Sequence, residues 1–344
     1  MKTIKFVDLF CGIGGFRYAV EGVAKKIGIK VKCLLSSDID LDCQKEYEAN
    51  FGEKPTGDIH AIADESIPEH DVLLAGFPCQ PFSIIGKRKG FEDARGTLFF
   101  EVARIVQAKR PQAVVLENVK LLAGHNGGKT LSRILEVLTD LGYKTDYKIL
   151  NALDFGLPQK RERIFIVAFK SACDFEWPKG GLVMKPLGKI LEKNVPSHYF
   201  ASEYIKGKRF SHHQPTTEPT IWHENKAGHI SVYPYSCALR AGASYNYLLV
   251  NGERRLTPRE MLRLQGFPDT FKIVCNYGQI RKQAGNSLPV PVAGAVLENV
   301  FAACGWVNGN SYCSINQSFD GQTVLFEKEV SYAKRAKIKN GRKV

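Results

Sequence analysis

Short apolar runs alternate with helical patterns through the first 170 residues of the chain. Apolar runs of four to eight residues predict buried strands, and apolar positions at helical spacing between them predict crossover helices. The predicted strands are residues 4–10, 31–36, 72–75, 113–116, 148–152 and 164–169, and the predicted helices are residues 16–26 and 130–141. This alternation favours an α/β fold with a Rossmann-like, mostly parallel sheet that carries helices on both faces.

The pattern changes after residue 170. Residues 184–251 are rich in Pro, Gly, Ser, His and Tyr and show little helical periodicity, which predicts a small irregular or β-rich domain. Two further helices are predicted at residues 259–264 and 291–303. We therefore divide the chain into a first, α/β domain (1–185) and a small second domain (186–270). Residues 271–305 form a segment that returns to the first domain, and residues 306–344 form a C-terminal extension with a basic tail.

Composition narrows the class of protein. The 344 residues are 44% hydrophobic and 24% charged, as in soluble globular proteins, and carry a formal net charge of +13. Such an excess favours a polyanionic partner such as nucleic acid, with a merely basic protein as the alternative. Nine cysteines without paired spacing predict neither a disulfide framework nor a metal site. A cytoplasmic protein that does not enter membranes is expected, because no apolar run reaches 18 residues and no secretory leader is visible.

A glycine-rich turn follows the first predicted strand. Residues 8–15 read Asp-Leu-Phe-Cys-Gly-Ile-Gly-Gly and open the first helix. Glycines there let backbone N–H groups approach a ligand, and the helix N-terminus favours negative charge. Asp38 or Asp40, at the end of the second strand, is placed to bind ribose hydroxyls. A turn that only links strand to helix is the alternative.

Polar residues also follow the third and fourth strands. Cys79 lies between Pro78 and Pro81 just after strand 72–75, where open α/β sheets place their chemistry, although an inert buried cysteine is the alternative. Glu117 ends the next strand. Arg161 and Arg163 precede the last one, and their alternate spacing predicts that one faces the pocket and the other faces elsewhere.

Six segments in order identify a family resemblance. Residues 8–15, 76–83, 117–119, 159–163, 259–268 and 285–287 resemble motifs of the DNA (cytosine-5)-methyltransferases, especially the compact bacterial restriction–modification type. The resemblance extends to about residue 303. It implies a class I fold dependent on S-adenosyl-L-methionine, double-stranded DNA as substrate and a target-recognition domain at 186–270. It further implies a monomer that protects host DNA, with a cognate restriction endonuclease acting separately.

The resemblance also implies roles for individual residues. The Cys79 thiolate would attack C6 of cytosine, Glu117 would bind N3 and the exocyclic amine, and Arg163 would bind O2, with Arg161 grouped beside them as catalytic. The cofactor would be bound by residues of the glycine turn, the next strand ends and the last motif: Asp8, Phe10, Gly12, Gly14, Gly15, Asp38, Ile39, Asp58, Ile59, Pro78, Asn286 and Ser287. The family commonly has Glu where this chain has Asp38.

An enzyme cannot reach the target atom of a base that is stacked in a duplex, so we expect the cytosine to be flipped out of the helix. Residues 83–95 are basic and contain two glycines, which predicts a loop that closes over DNA, with a static surface loop as the alternative. The DNA-contacting candidates are Ser83, Lys87, Lys89 and Arg95 in that loop, and Tyr233, Tyr235, Arg240 and Asn246 in the recognition domain. The rival functions are an RNA (cytosine-5)-methyltransferase on the same scaffold and a non-catalytic DNA- or cofactor-binding regulator.

Overall fold

The computed structural model describes residues 2–78 and 98–307. Their strands are β1 (Thr3–Leu9), β2 (Lys30–Ser37), β3 (Val72–Ala75), β4 (Ala113–Val119), β5 (Lys144–Asn151), β6 (Gln159–Lys160), β7 (Glu162–Phe169), β8 (Ile221–Glu224), β9 (Ile230–Tyr233), β10 (Ser236–Cys237) and β11 (Leu248–Val250). The helices are α1 (Gly15–Ile27), α2 (Leu41–Phe51), α3 (Leu98–Lys109), α4 (Lys129–Asp140), α5 (Glu203–Phe210), α6 (Pro258–Gln265), α7 (Tyr277–Asn286) and α8 (Val290–Ala303).

Six strands form the main sheet, in the order β2-β1-β3-β4-β7-β5. The β1–β2, β1–β3 and β3–β4 pairs are parallel, whereas β7 is antiparallel to both β4 and β5. The connection from β5 to β7 contains no α-helix, so the chain reverses instead of crossing over. The prediction of a mostly parallel sheet is therefore confirmed, with β7 as a reversed strand inside it.

Helices cover both faces of this sheet. On one face, Ile105 of α3 and Ile134 of α4 belong to a single buried cluster with Leu73 and Leu116 of the central strands. On the other face, α1 packs against α8, and the Arg17 guanidinium of α1 lies 5.7 Å from the Phe6 ring centroid of β1. The predicted two-sided α/β arrangement is confirmed.

A second core lies among the residues that follow the sheet. The antiparallel strands β11-β8-β9 contribute Ile221 and Leu248, and α6 contributes Leu264. Helix α7 adds Ile280 and Ala284 to the same cluster. The region is β-rich, as its composition predicts, but it also contains α5, which the weak periodicity of residues 184–251 did not indicate. No helix in the described ranges is long and apolar enough to cross a membrane.

Candidate active site

The turn between β1 and α1 needs left-handed backbone at several positions. Phe10, Gly12 and Gly14 have φ values of 56°, 54° and 87°. A Cβ added at Gly14 would lie 2.3 Å from Phe51 Cε2, whereas one added at Gly12 would have no atom within 4 Å. The Gly12 N–H donates to Asp38 Oδ2 at 2.8 Å. The turn is therefore packed on its inner side and open at Gly12, where a ligand can reach the backbone.

Asp8 is the penultimate residue of β1, just before this turn. Its side chain is fully buried, and within the described part of the chain neither carboxylate oxygen has a hydrogen-bond partner. Burial raises the pKa of Asp8 to about 8, opposed by the Arg17 charge and reinforced by Asp38. A buried carboxylate without a donor is costly when ionised. A donor supplied by a bound group, such as an ammonium, would satisfy it.

The two acidic candidates after β2 have different partners. Asp38 accepts from the Gly12 and Asp40 N–H groups, both at 2.8 Å. Asp40 caps α2 by accepting from the Asp42 and Cys43 N–H groups, and its other oxygen lies 2.7 Å from Lys282 Nζ. Asp38 thus shapes the glycine turn directly, while Asp40 acts on the next helix.

Two of the apolar cofactor candidates each follow an acidic candidate in the sequence. Ile39, next to Asp38, is 70% exposed, whereas Ile59, next to Asp58, is buried. Asp58 is exposed and accepts from the His60 N–H at 3.0 Å, with His60 Nδ1 at 2.8 Å.

The last predicted motif closes on the first. A Cβ added at Gly15 would lie 3.1 Å from Ser287 Oγ and 3.0 Å from Leu288 Cγ. Asn286 is exposed at the end of α7. The structure therefore brings residues 286–287 to the glycine turn from more than 270 positions away. Together, the open turn and the unpartnered Asp8 fit the amino-acid end of a ligand such as S-adenosyl-L-methionine.

The acid candidate lies beside the segment that leads to Cys79. Ala75 pairs with Leu116 in the parallel β3–β4 register, so Gly76 follows beside Glu117. A Cβ added at Gly76 would lie 3.6 Å from Glu117 Oε2. Asn118 Nδ2 donates to the Phe77 carbonyl at 2.9 Å and holds this segment against β4. Pro78 is exposed at the end of the described segment.

Glu117 and Arg163 form a nearly buried ion pair. Arg163 Nε lies 3.0 Å from Glu117 Oε1, across the antiparallel β4–β7 register. Burial raises the pKa of Glu117, while Arg163 and then Arg161 oppose that rise. Burial thus favours the protonated form of Glu117, and the fixed Arg163 guanidinium favours its carboxylate.

Arg161 points to different partners. It is fully buried, and its guanidinium donates to the carbonyls of Leu239 at 2.9 Å, Gly285 at 2.8 Å and Ser287. The two arginines thus diverge as their spacing predicts. In this arrangement Arg161 fixes backbone from the recognition and return segments.

The recognition candidates lie on and between short strands. Tyr233 and Tyr235 stack with ring centroids 5.2 Å apart. Arg240 is exposed, and its guanidinium lies 4.9 Å from the ring centroid of Tyr247. Asn246 is half-buried, and its carbonyl accepts from Arg209 Nη2 at 2.6 Å.

Five predicted functional residues fall outside the described ranges: Cys79, Ser83, Lys87, Lys89 and Arg95.

Comparison with known proteins defines the chain's family. A model of the C-5 cytosine-specific DNA methylases matches residues 4–302. The chain belongs to this family. It is 55% identical to the Type II methyltransferase M.NgoBI of Neisseria gonorrhoeae over 84% of this chain and 90% of that protein. It is 51% identical to M.HaeII of Haemophilus aegyptius over 92% of this chain and 99% of that one. The protein is thus a DNA (cytosine-5)-methyltransferase, as the six motifs predict.

Solved structures of more distant sequence share the fold of this methyltransferase. Dnmt2 of S. pombe aligns with a TM-score of 0.66 at 20% identity, covering 88% of this chain and 99% of that one. The Entamoeba histolytica methyltransferase EhMeth aligns with a TM-score of 0.67 at 19% identity, with the same coverage.

Several residues with clear structural roles at this methyltransferase's site were not singled out from the sequence. Gln159 is fully buried, where its Nε2 donates to the Leu264 carbonyl and its Oε1 accepts from the Leu239 N–H. On α7, Lys282 contacts the Asp40 carboxylate, and the neighbouring Arg281 donates to the Ala243 carbonyl. The arginine motif contains Gln159 and gave a local signal, whereas nothing in the sequence pairs Lys282 with Asp40.

Proposed function

We propose that this methyltransferase transfers the methyl group of S-adenosyl-L-methionine to C5 of a flipped cytosine at a specific sequence in duplex DNA, through a covalent Cys79 adduct. The observation that carries the proposal is the buried Glu117–Arg163 pair beside the segment that enters Cys79. By likeness to its Type II relatives, the enzyme protects host DNA from a separate restriction endonuclease. We further propose that it acts as a monomer.

The family resemblance and the geometry of the glycine turn support the proposed cofactor contacts. Asp38 would bind the ribose hydroxyls, the exposed Ile39 would cover one face of the adenine, and Asp58 would accept from its amino group. The open Gly12 and the unpartnered Asp8 would receive the amino-acid end, with Asn286 and Ser287 closing the site. When bound, S-adenosyl-L-methionine supplies an electrophilic methyl group whose sulfur leaves with the bonding electron pair.

The protein's own groups would activate the base. Addition of the Cys79 thiolate to C6 makes C5 electron-rich, while Glu117, with its raised pKa, keeps N3 protonated as charge develops. Arg163 would hold O2 and the Glu117 carboxyl in one geometry. C5 then takes the methyl group, a base removes the C5 proton, and the electron pair of that C–H bond expels Cys79 to restore the ring. Arg161 would act as a positioning residue, because its guanidinium is occupied by three backbone carbonyls.

Sequence reading would fall to residues 186–270. Arg240 is exposed and held over Tyr247, which suits a bidentate contact to guanine, and the stacked Tyr233 and Tyr235 present flat polar edges. Asn246 would contribute its side-chain amide while Arg209 fixes its backbone. Ser83, Lys87, Lys89 and Arg95 would contact the DNA backbone and the space that the flipped base leaves.

Bisulfite sequencing tests the reaction and locates the site. Genomic DNA from cells expressing the enzyme should show cytosines that resist bisulfite conversion at one short motif. DNA from cells expressing Cys79→Ser should show none. In vitro, the same duplex and a tRNA are offered side by side with labelled cofactor. Label in duplex DNA alone is expected, and label in tRNA alone would overturn the DNA assignment.

A mechanism-based trap tests the covalent step. A duplex with 5-fluorocytosine at the mapped position cannot lose a C5 proton, so elimination of Cys79 should stall. A denaturing gel should show a shifted protein–DNA band only when S-adenosyl-L-methionine is present. Absence of that band with a turnover-competent enzyme would contradict the proposed adduct.

A further inference from the structure

Helix α7 touches two functional regions through neighbouring residues. Arg281 Nη1 donates to the Ala243 carbonyl at 2.7 Å, and its guanidinium lies 4.2 Å from the Tyr245 ring centroid. Both partners lie in residues 238–247, which we call the reading segment. Arg281 therefore holds the middle of this segment from the side of the helix.

The next residue points toward the cofactor turn. Lys282 Nζ lies 2.7 Å from Asp40 Oδ2. The Asp40 N–H donates to Asp38 Oδ1, and Asp38 Oδ2 accepts from the Gly12 N–H, each at 2.8 Å. Three polar contacts in series thus connect α7 to the open position of the glycine turn.

The helix is also tightly held at its C-terminal end. A Cβ added at Gly285 would lie 2.5 Å from the Ala241 backbone nitrogen, so helix and reading segment are in close backbone contact. Arg161 and Gln265 donate to the carbonyls of Gly285 and Ala284. Close packing transmits displacement, so a shift of the reading segment moves α7 rather than being absorbed between them.

We propose that Arg281 and Lys282 are positioning residues that couple DNA in the reading segment to the shape of the cofactor's ribose site. The inference rests on the proposed function, which gives Asp38 to the cofactor and the reading segment to DNA. DNA that orders the reading segment fixes α7, and Lys282 then holds Asp40 and Asp38 in the cofactor-binding arrangement. By linkage, bound cofactor tightens DNA binding by the same factor.

Calorimetry of S-adenosylhomocysteine measures the coupling. Its Kd is determined for the full chain with and without a duplex carrying the mapped motif, and the ratio of the two values is the coupling factor. Lys282→Met and Arg281→Met should each lower that factor by about fivefold or more, the lower end of common allosteric couplings. The double variant should lose no more than the larger single loss, because both residues serve one route.

Conservative and control variants separate positioning from general damage. Lys282→Arg should retain most of the coupling, and KM for S-adenosyl-L-methionine should rise in Lys282→Met more than kcat falls. Lys45→Met removes a similar ion pair, to Asp42 on α2, that does not involve α7, and should leave the coupling factor unchanged. Asp40→Asn cuts the Lys282 contact while keeping a good N-cap for α2, so it serves if the methionine variants fail to fold.

The outcomes are distinct from those of the proposed function. A wild-type enzyme that binds neither S-adenosylhomocysteine nor the duplex would sink the proposed function itself. If both bind, a wild-type coupling factor of one, or an unchanged factor in Lys282→Met, Arg281→Met and Asp40→Asn, would overturn the positioning role.

Discussion

At the carboxyl end of the six-stranded sheet, Glu117 and Arg163 belong to regular strands and fix each other in a nearly buried ion pair. In the reading segment, which lies between β10 and β11, Arg240 is exposed, Asn246 is half-buried and the backbone follows no strand or helix. That backbone is held from elsewhere. Three arginines donate to its carbonyls: Arg161 to Leu239, Arg281 to Ala243 and Arg209 to Asn246.

The contrast separates two ways of building a site. Where chemistry is proposed, the side chains are fixed by the strands that carry them, so each residue is tied to the fold. Where reading is proposed, donors outside the segment hold main-chain carbonyls, which every residue type has. Exposed side chains of the reading segment, such as Arg240, can therefore change without altering these backbone contacts. Tyr247 is different, because it is buried and its hydroxyl accepts from the Arg240 N–H.

The largest expected effect is a loss of turnover with cofactor and DNA binding retained. Cys79→Ser should lower turnover by on the order of 10⁴-fold or more, because a serine hydroxyl is far less ionised than a thiol. S-adenosylhomocysteine binding and duplex selectivity, measured by calorimetry and competition, should stay close to wild type. Measurable multiple turnover by pure Cys79→Ser would contradict the nucleophile assignment.

The next effect tests how the second core is supported. Arg254 makes two 2.8 Å bonds to the fully buried carboxylate of Glu260, so Arg254→Met should strand that charge and cost about 3–5 kcal/mol. Asp269→Ala removes only the exposed partner of Arg263, which lies on the same helix as Glu260, and should cost only about 0–1 kcal/mol. Urea unfolding compares the two, and equal losses would refute the distinction.

A smaller effect concerns the unpartnered carboxyl just before the cofactor turn. Asp8 has a folded pKa of about 8 against an ordinary value of 3.8, so the folded state holds its proton between these pH values. The unfolded state binds fewer protons there, and wild-type stability should fall as pH rises from about 4 to about 8. Asp8→Asn lacks this loss, so its stability relative to wild type should rise by roughly 1.4 kcal/mol for each pH unit across this window. Parallel stability curves for the two proteins across that window would contradict the shift.

The smallest effect tests the reading segment itself. Arg240→Ala should cost roughly 1–3 kcal/mol of discrimination at one base pair if the guanidinium reads a guanine. If it contacts only phosphate, binding should weaken evenly across sequences and with a smaller salt slope. Competition between the mapped duplex and single-base variants at two salt concentrations separates these results, and an effect on kcat alone would break the contrast between the two regions.

Much of the sheet is readable from the sequence because its strands are buried on both faces. Val72–Ala75 is an unbroken apolar run between polar residues, and its predicted and observed bounds coincide. Helix α2 was not predicted, because it buries Gln44 and Glu46 beside Tyr47 and so lacks an apolar stripe. Glu46 lies inside because it accepts from the Val274 and Cys275 N–H groups, a contact between segments over 220 residues apart.

The candidate site also contains residues that the sequence places and residues that it does not. Residues at strand ends, such as Glu117, are placed by local pattern and sheet topology together. The functions assigned to the site residues remain predictions, because the roles came from motif resemblance and their test is chemical. Arg281 and Lys282 illustrate what sequence cannot supply, since α7 has only a weak apolar pattern and its partners lie 38 and 242 positions away.

The reversed strand β7 also determines how the chain is threaded. The backbone leaves β7 beside Gln112, at the opposite end from Glu117, and returns past Asp146 until the Lys185 N–H donates to the Gly156 carbonyl. Where the chain returns after residue 270, the Cys275 N–H donates to the Glu46 carboxylate on α2. Both of these hydrogen bonds lie outside residues 186–270, and lengthening a loop between fixed ends costs little free energy. We therefore expect residues 186–270, the proposed recognition region, to tolerate exchange or lengthening while the sheet, the glycine turn and the ion pair keep their structure.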